Sequence, residues 1–307
     1  MLDFSNILNN PNIDVQTFIG PATALSAPEW RTWRKPRGAK FIYMIGVGSG
    51  SSGGCGLNSA TTSGGGAGGS SGAQTVVMIP AMFVPDVLYV QTGAGGQQPA
   101  VLVSGAVNVA GVQSFVCISP YTSVPAAGTI LYANGGQTGT AAATSTTGGT
   151  ATAAASAGIL SNMPLAGRGF YQLLAGQAGT AGGTSTPTGG VAQTYPTTGL
   201  MVQGGQGGVG YSNVTSASNN NSTGAGFGDN FPSVAGALTS DPTGDGSGGT
   251  MIKPFQYTGG TGGIAQRAGG NGGPGCGGGG AGGSSTGLPT LARPGDGGPG
   301  FVYIFTM

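Results

Sequence analysis

The feature that most limits what this chain can become is a glycine beat of three. Within Gly259–Met307, glycine recurs at Gly269, Gly272, Gly275 and Gly278 on one row. The next row is Gly270, Gly273, Gly279 and Gly282, broken once by Cys276. The beat returns at Gly50, Gly53 and Gly56, and again at Gly204, Gly207 and Gly210. Three residues per turn is the period of the extended left-handed polyproline II helix, which has no internal hydrogen bonds. Collagen would add abundant Pro in a strict frame, whereas here two positions in three are often Gly. The pattern therefore points to polyglycine II, in which extended helices lie side by side and exchange N–H···O bonds. Without Cβ atoms their backbones can approach closely. A flexible Gly/Ser linker has similar composition, but strand-like segments border the glycine runs on both sides.

Composition narrows the function classes. The chain has 307 residues, 68 of them Gly, with a net charge of +1 and only 6% charged side chains, against about 25% in ordinary domains. With 38% hydrophobic residues it can still bury a core, in one large domain or two. There is no His, and Glu29 is the sole Glu, which removes the commonest general base and most metal-ligand sets. The acids are scattered. No glycine run ends in Gly-Lys-Ser/Thr as a phosphate loop does, and Asp241, Asp245 and Gly246 are only a faint echo of a calcium loop. No catalytic, cofactor-binding or metal-ligating residue is assigned, and the chain is expected not to be an enzyme. A near-neutral balance argues against nucleic acid as a partner. No secretory signal and no apolar run long enough to span a membrane is found. Cys55, Cys117 and Cys276 are too few and too widely spaced for a disulfide framework or zinc site. Three buried, reduced thiols are expected, with Cys55 and Cys276 as possible neighbours in a bundle.

Along the chain, residues 1–39 read as an N-terminal arm and a short docking helix. Met1–Leu25 is polar and irregular. Ser26-Ala27-Pro28-Glu29 matches a capping box, Pro36 ends the helix, and Trp30 and Trp33 would share one face. Arg31, Arg34, Lys35, Arg37 and Lys40 add charge. Trp30, Arg31, Trp33, Arg34, Lys35 and Arg37 form the candidate docking segment, for an acidic partner or a nucleic acid; a merely solvated face and tryptophans serving as core or subunit anchors are the alternatives.

Residues 40–135 read as a β core with a first glycine excursion, Gly48–Gly72. Its strands are Lys40–Val47, Gln74–Ile79, Val87–Gln91, Pro99–Val103, Gln113–Ser119 and Thr129–Tyr132, and Ala81–Val84 between two prolines is an edge or corner. Residues 136–250 are Gly/Thr/Ser/Ala-rich, and 251–307 are a glycine-helix segment with a closing strand. Pairing Phe41–Val47 with Phe301–Phe305 would close one β domain. The expected fold is all-β, a sandwich or jelly roll from which polyglycine-II segments project. Gly50, Gly53, Gly56, Gly204, Gly207, Gly210, Gly269, Gly272, Gly275 and Gly278 are the expected packing positions. Ser284 lies outside the beat. Glycine-lined surfaces with few charges would be covered by neighbouring subunits, which predicts a homo-oligomer, in first place a trimer.

Some of these residues also carry a family likeness. Trp30-Arg-Thr-Trp33-Arg-Lys-Pro36-Arg-Gly38, Lys40-Phe-Ile-Tyr-Met-Ile-Gly46, Val77-Met-Ile-Pro80-Ala-Met-Phe-Val-Pro85-Asp-Val-Leu-Tyr-Val-Gln91 and Gly295-Asp-Gly-Gly-Pro-Gly-Phe-Val-Tyr-Ile304 resemble the glycine-rich virion proteins of tailed bacteriophages. The glycine runs are similar to those of T-even-type tail-fibre tip adhesins, in which polyglycine helices form a bundle and intervening loops touch the host receptor. The runs here are shorter and more interrupted, and the β portion is longer. The resemblance implies a virion structural protein of tail-fibre, spike or head-fibre type, assembled in the host cytoplasm. It would meet other virion proteins through its N-terminal arm and a host receptor or glycan elsewhere. A capsid decoration or cement protein and an ice- or carbohydrate-binding module are the alternatives.

Overall fold

Phe41–Val47 carries too many adjacent apolar residues for a strand with one wet face, and the structure shows that both its faces are covered. The computed structural model describes residues 13–21, 29–59, 62–98, 109–121, 128–138, 149–150, 153–157, 163, 165–184, 193, 196, 199–208, 211–212, 246, 248–253, 255–263, 266–285 and 292–307. In chain order the strands are β1 (Asp14–Ile19), β2 (Arg31–Arg34), β3 (Phe41–Val47), β4 (Asn58–Ser59), β5 (Thr62–Ser63), β6 (Gln74–Pro80), β7 (Val87–Gln91) and β8 (Ser114–Cys117). Then come β9 (Thr129–Ala133), β10 (Phe170–Leu174), β11 (Tyr211–Ser212), β12 (Met251–Lys253), β13 (Gln256–Tyr257), β14 (Ser284–Ser285) and β15 (Phe301–Thr306). The helical pieces among the described residues are the 3-10 turns Ala81–Phe83 and Ala166–Arg168. The molecule is nearly all β.

Two antiparallel sheets dominate, one in the order β1-β15-β3-β6-β10 and the other β2-β7-β8-β9. β3 and β15 pair from Val47↔Phe301 to Ile42↔Thr306, the closure expected from sequence. On the inner face Ile42, Met44, Val302 and Ile304 meet Leu88, Val116 and Leu131 of the second sheet. On the outer face Tyr43, Ile45, Phe301, Tyr303 and Phe305 lie under Leu200–Val202 and Phe255. Burying each such side chain contributes about 1.5–3 kcal/mol. The sheets close tightly at Gly46, where any Cβ would strike the Leu131 methyls.

Two expectations for the N-terminal region fail. Arg31–Arg34 is not a helix but strand β2, paired with β7 from Arg31↔Val90 to Arg34↔Val87. Burial follows the two-residue period of a strand, with Thr32 and Arg34 exposed and Trp33 fully buried. A core slot for one indole overrides the local capping signal, because burial outweighs intrinsic propensity. Trp30 instead packs beside the separate Phe115–Tyr132 cluster, so the two tryptophans do not share a face. The supposed irregular arm contains β1, which completes the edge of the first sheet along β15.

Ala81–Phe83 turns the corner as expected, and Thr250–Tyr257 resolves into the small β12–β13 ribbon. Pro99–Val103 and the Asp241/Asp245 turn lie outside the described residues, as does Gly210.

Candidate functional site

Strands leave the sandwich at one end and continue as glycine segments. β3 runs into 48–57, β7 into 92–98, β9 into 134–138 and β10 into 175–184, while 64–73, 109–113 and 292–300 lead into β6, β8 and β15. Together with 203–208, 258–263, 267–273 and 276–284 they make one bundle.

Its bonding follows the beat of three. From segment 48–57, the N–H groups of Gly48, Ser51, Gly54 and Leu57 donate to Ala73, Ser70, Ala67 and Gly64. Ser49 and Ser52 donate to Val112 and Val109, and Gly50 and Gly53 donate to Gly298 and Gly295. Its carbonyls accept from three further neighbours: from Gly278, Ala281 and Ser284 at Ser51, Gly54 and Leu57, from Gly136 at Ser49, and from Gly96 at Gly50. The bonds thus run sideways, and every third residue bonds to the same neighbour. Segment 276–284 repeats the scheme. It donates to 203–206, to 51–57 and to 267–270, and it accepts from 66–69, from 260–266 and from 295–298. Six neighbours surround each central segment, all from the same chain. For these two segments the backbone bonds close within one chain.

Beside small buried side chains such as Cys55, Ala67 and Ala281, this lattice admits side chains that replace a backbone partner. Ser49, Ser51, Ser52, Ser70 and Ser71 are fully buried. Their hydroxyls accept from the N–H groups of Val112, Ser70, Val109, Gln137 and Gln177, at 2.6 to 2.8 Å. Gln177 and Thr180 do the same for Gly204 and Gly207. Sequence reading passed over these serines. Their signal was Ser occupying places within a glycine run that joins two strands.

The expected packing glycines fall into three groups. Gly50, Gly53 and Gly56 face the carbonyls of Cys276, Gly279 and Gly282, and a Cβ at any of them would penetrate that oxygen. Gly204 and Gly207 face Ala178 and Ala181, and Gly269, Gly272 and Gly278 face Gly279, Cys276 and Gly295 in the same manner. Gly275 differs. It sits at φ +73 in the turn that reverses the chain, so its row does not continue along one segment. Its absent side chain leaves room for Val47 and Val202. Ser284 is not outside the beat; it extends the row of Gly278 and Ala281 onto Leu57.

The two ends of the molecule differ. At the far end of the bundle the described residues bordering the undescribed stretches are polar: Ser59, Thr62, Thr184, Ser212 and Ser285. The other end, the base, is where β3 starts and β6 and β15 finish.

Of the six candidate docking residues, only part reaches this surface. Trp33 is buried in the sandwich and Trp30 half-buried. Arg31 donates to the Ile19 carbonyl at 2.9 Å and lies 3.8 Å from Glu29. Lys35 secures the corner by donating to Ala81 and Val84 carbonyls at 3.2 and 2.8 Å, and it pairs with Asp86 at 2.9 Å. Arg34 and Arg37 remain exposed and line a pocket of about 340 Å³ with Lys35, Gly38, Asp86 and Val87.

The three cysteines are free and buried. Burial pushes the Cys55 and Cys117 thiols up to about 11 and raises Cys276 further. They stay protonated at neutral pH and are poor nucleophiles. Cys276 serves the lattice, accepting from Gln203 N–H at 3.3 Å and donating to the Tyr257 carbonyl at 3.2 Å. Among the described residues no group of His, Cys, Asp or Glu is placed to hold a metal, and no helix is long and apolar enough to cross a membrane. No protein-family model matches the chain, and no curated protein matches it either.

Proposed function

We propose that the chain is a non-enzymatic structural protein of a tailed-phage particle, of fibre or spike type, exposed on the virion and assembled in the host cytoplasm. Its glycine segments are polyglycine-II helices, and the bundle they form is a stiff spacer. The sandwich, jelly-roll-like in that the chain crosses between its sheets at β1–β2, β2–β3, β6–β7 and β9–β10, anchors the spacer to the particle. The Ser/Thr/Asn-rich stretches that join the glycine segments in the sequence face a host receptor or glycan. The observation that carries this reading is the three-residue bonding scheme, in which each central segment donates to three neighbours and accepts from three. That scheme suits a device whose task is to hold a surface at a distance, since the backbone of each central segment is tied to six neighbours. Copies that associate, as a trimer in first place, would do so outside the centre of the bundle, where the backbone bonds close within one chain.

Particle proteomics and immunogold labelling test the proposal. The protein should co-purify with particles at fixed stoichiometry and label a fibre or spike, and antibody to residues 213–245 should slow adsorption to cells. A protein confined to the lysate and absent from particles would overturn it. Light scattering on the purified chain tests the trimer.

A further inference from the structure

The base combines two properties that soluble surfaces rarely put together. Met82 is 82% exposed and Phe170 59%, with Phe41, Phe83 and Met307 also in contact with solvent. Contiguous exposed apolar area of this kind marks a contact surface. It is one surface by connectivity. Phe41 pairs with Pro80, the next residues form the 81–83 turn, and Phe170 pairs with Met78 on the same sheet. The second property is charge. Arg168 lies over the Phe83 ring at 5.4 Å, and Arg34, Arg37 and Lys40 are exposed around the corner that leads into β3. No ion pair among the described residues involves these four cations. Among the described residues the acids here are Asp86, already paired with Lys35, and Asp14.

We propose that the base is a docking face for an acidic protein segment that brings apolar side chains of its own. The apolar centre supplies buried area and the cationic rim sets register and partner choice, the usual division of labour in an interface. A second copy presenting the same face would set arginine against arginine, so charge selects against it. A nucleic acid would use the cations and leave Met82 and Phe170 wet. The partner's chemistry is read from the surface alone; only its place, on the particle, rests on the function proposed above.

The test uses the full chain and synthetic probes, so it can fail while particle proteomics succeeds, and the reverse. The probes are a peptide mixing glutamate with leucine and phenylalanine, its Glu→Gln twin, a DNA duplex, and phosphatidylglycerol vesicles. Binding is read by biolayer interferometry. The acidic apolar peptide should bind at least about tenfold more tightly than its glutamine twin. It should lose about tenfold on Arg37→Glu with Lys40→Glu, and again on Met82→Ser with Phe170→Ser. All four substituted positions are exposed, so folding is retained, and the melting temperature verifies it. Equal binding of both peptides, binding of neither, or preference for duplex or vesicle would each overturn the proposal.

Discussion

The sandwich and the glycine bundle are continuous in the chain, yet they are held together by opposite means. In the sandwich, strands alternate their side chains and stability resides in buried carbon: Ile304, Leu131, Leu88 and Trp33 have no exposed surface. In the bundle, Gly50, Gly53 and Gly56 contribute no side chain, and stability resides in backbone N–H···O bonds made sideways to six neighbours. The first region is weakened by removing atoms and the second by adding them. A substitution matrix calibrated on ordinary cores would therefore misjudge half of this molecule.

The largest expected effect comes from adding atoms. Gly50→Val together with Gly53→Val drives two side chains into the Cys276 and Gly279 carbonyls. Each site costs about 1–3 kcal/mol for overpacking and about 1–3 kcal/mol for each backbone group left unpaired. The pair should abolish bundle formation, seen as rapid proteolysis within 48–73. A double variant as resistant as the parent would end the comparison.

Removing atoms comes next. Ile304→Ala in the sandwich should lower stability by about 2–5 kcal/mol, measured by denaturant titration. A loss far below that range would mean the sandwich does not rest on its core.

Alkaline titration probes both regions at once. Cys55 lies in the bundle and Cys117 in the sandwich, and burial raises each from 9.0 to about 11. A thiol whose folded pKa exceeds its unfolded value stabilises fully below the unfolded pKa, and the contribution disappears as pH rises through the folded one. Stability should be flat up to about pH 9 and fall between 9 and 11. Cys55→Ala and Cys117→Ala should each flatten part of that fall, and an unchanged slope in both would rule the thiols out.

The smallest effect is a control. A Cβ added at Gly167 meets nothing within 4 Å, so Gly167→Ala should stay within about 0.5 kcal/mol. A large change there would show that glycine matters for reasons other than close approach.

Much of this was legible in the residues. The β3–β15 pairing follows from two apolar runs of matching length, and the beat of three is plain in the letters. β2 was not legible, because Ser26…Glu29 and the spacing of Trp30 and Trp33 form a good local helix signal, and only the distant slot beside Leu88 contradicts it. β1 was hidden because just one of its residues, Phe18, is buried. Neighbours within the bundle could not be read at all. Glycine carries no side chain to specify a partner, so Gly53 fits any segment equally well. The strands decide, since seven of them continue into glycine segments and transmit their register. The reversal at Gly275 escaped notice for the same reason: a left-handed glycine looks like any other in a row of them.

That sideways bonding has a mechanical consequence. Force applied between the far end and the base runs along the segments, at right angles to the bonds that join them. It loads those bonds in shear and many at once, where a hairpin pulled from one side would peel them singly. A tug on a central segment at the far end is shared among six neighbours before it reaches the sandwich. Single-molecule pulling between Ser59 and Met307, which lie on different segments, should give one high-force rupture rather than a staircase of small ones.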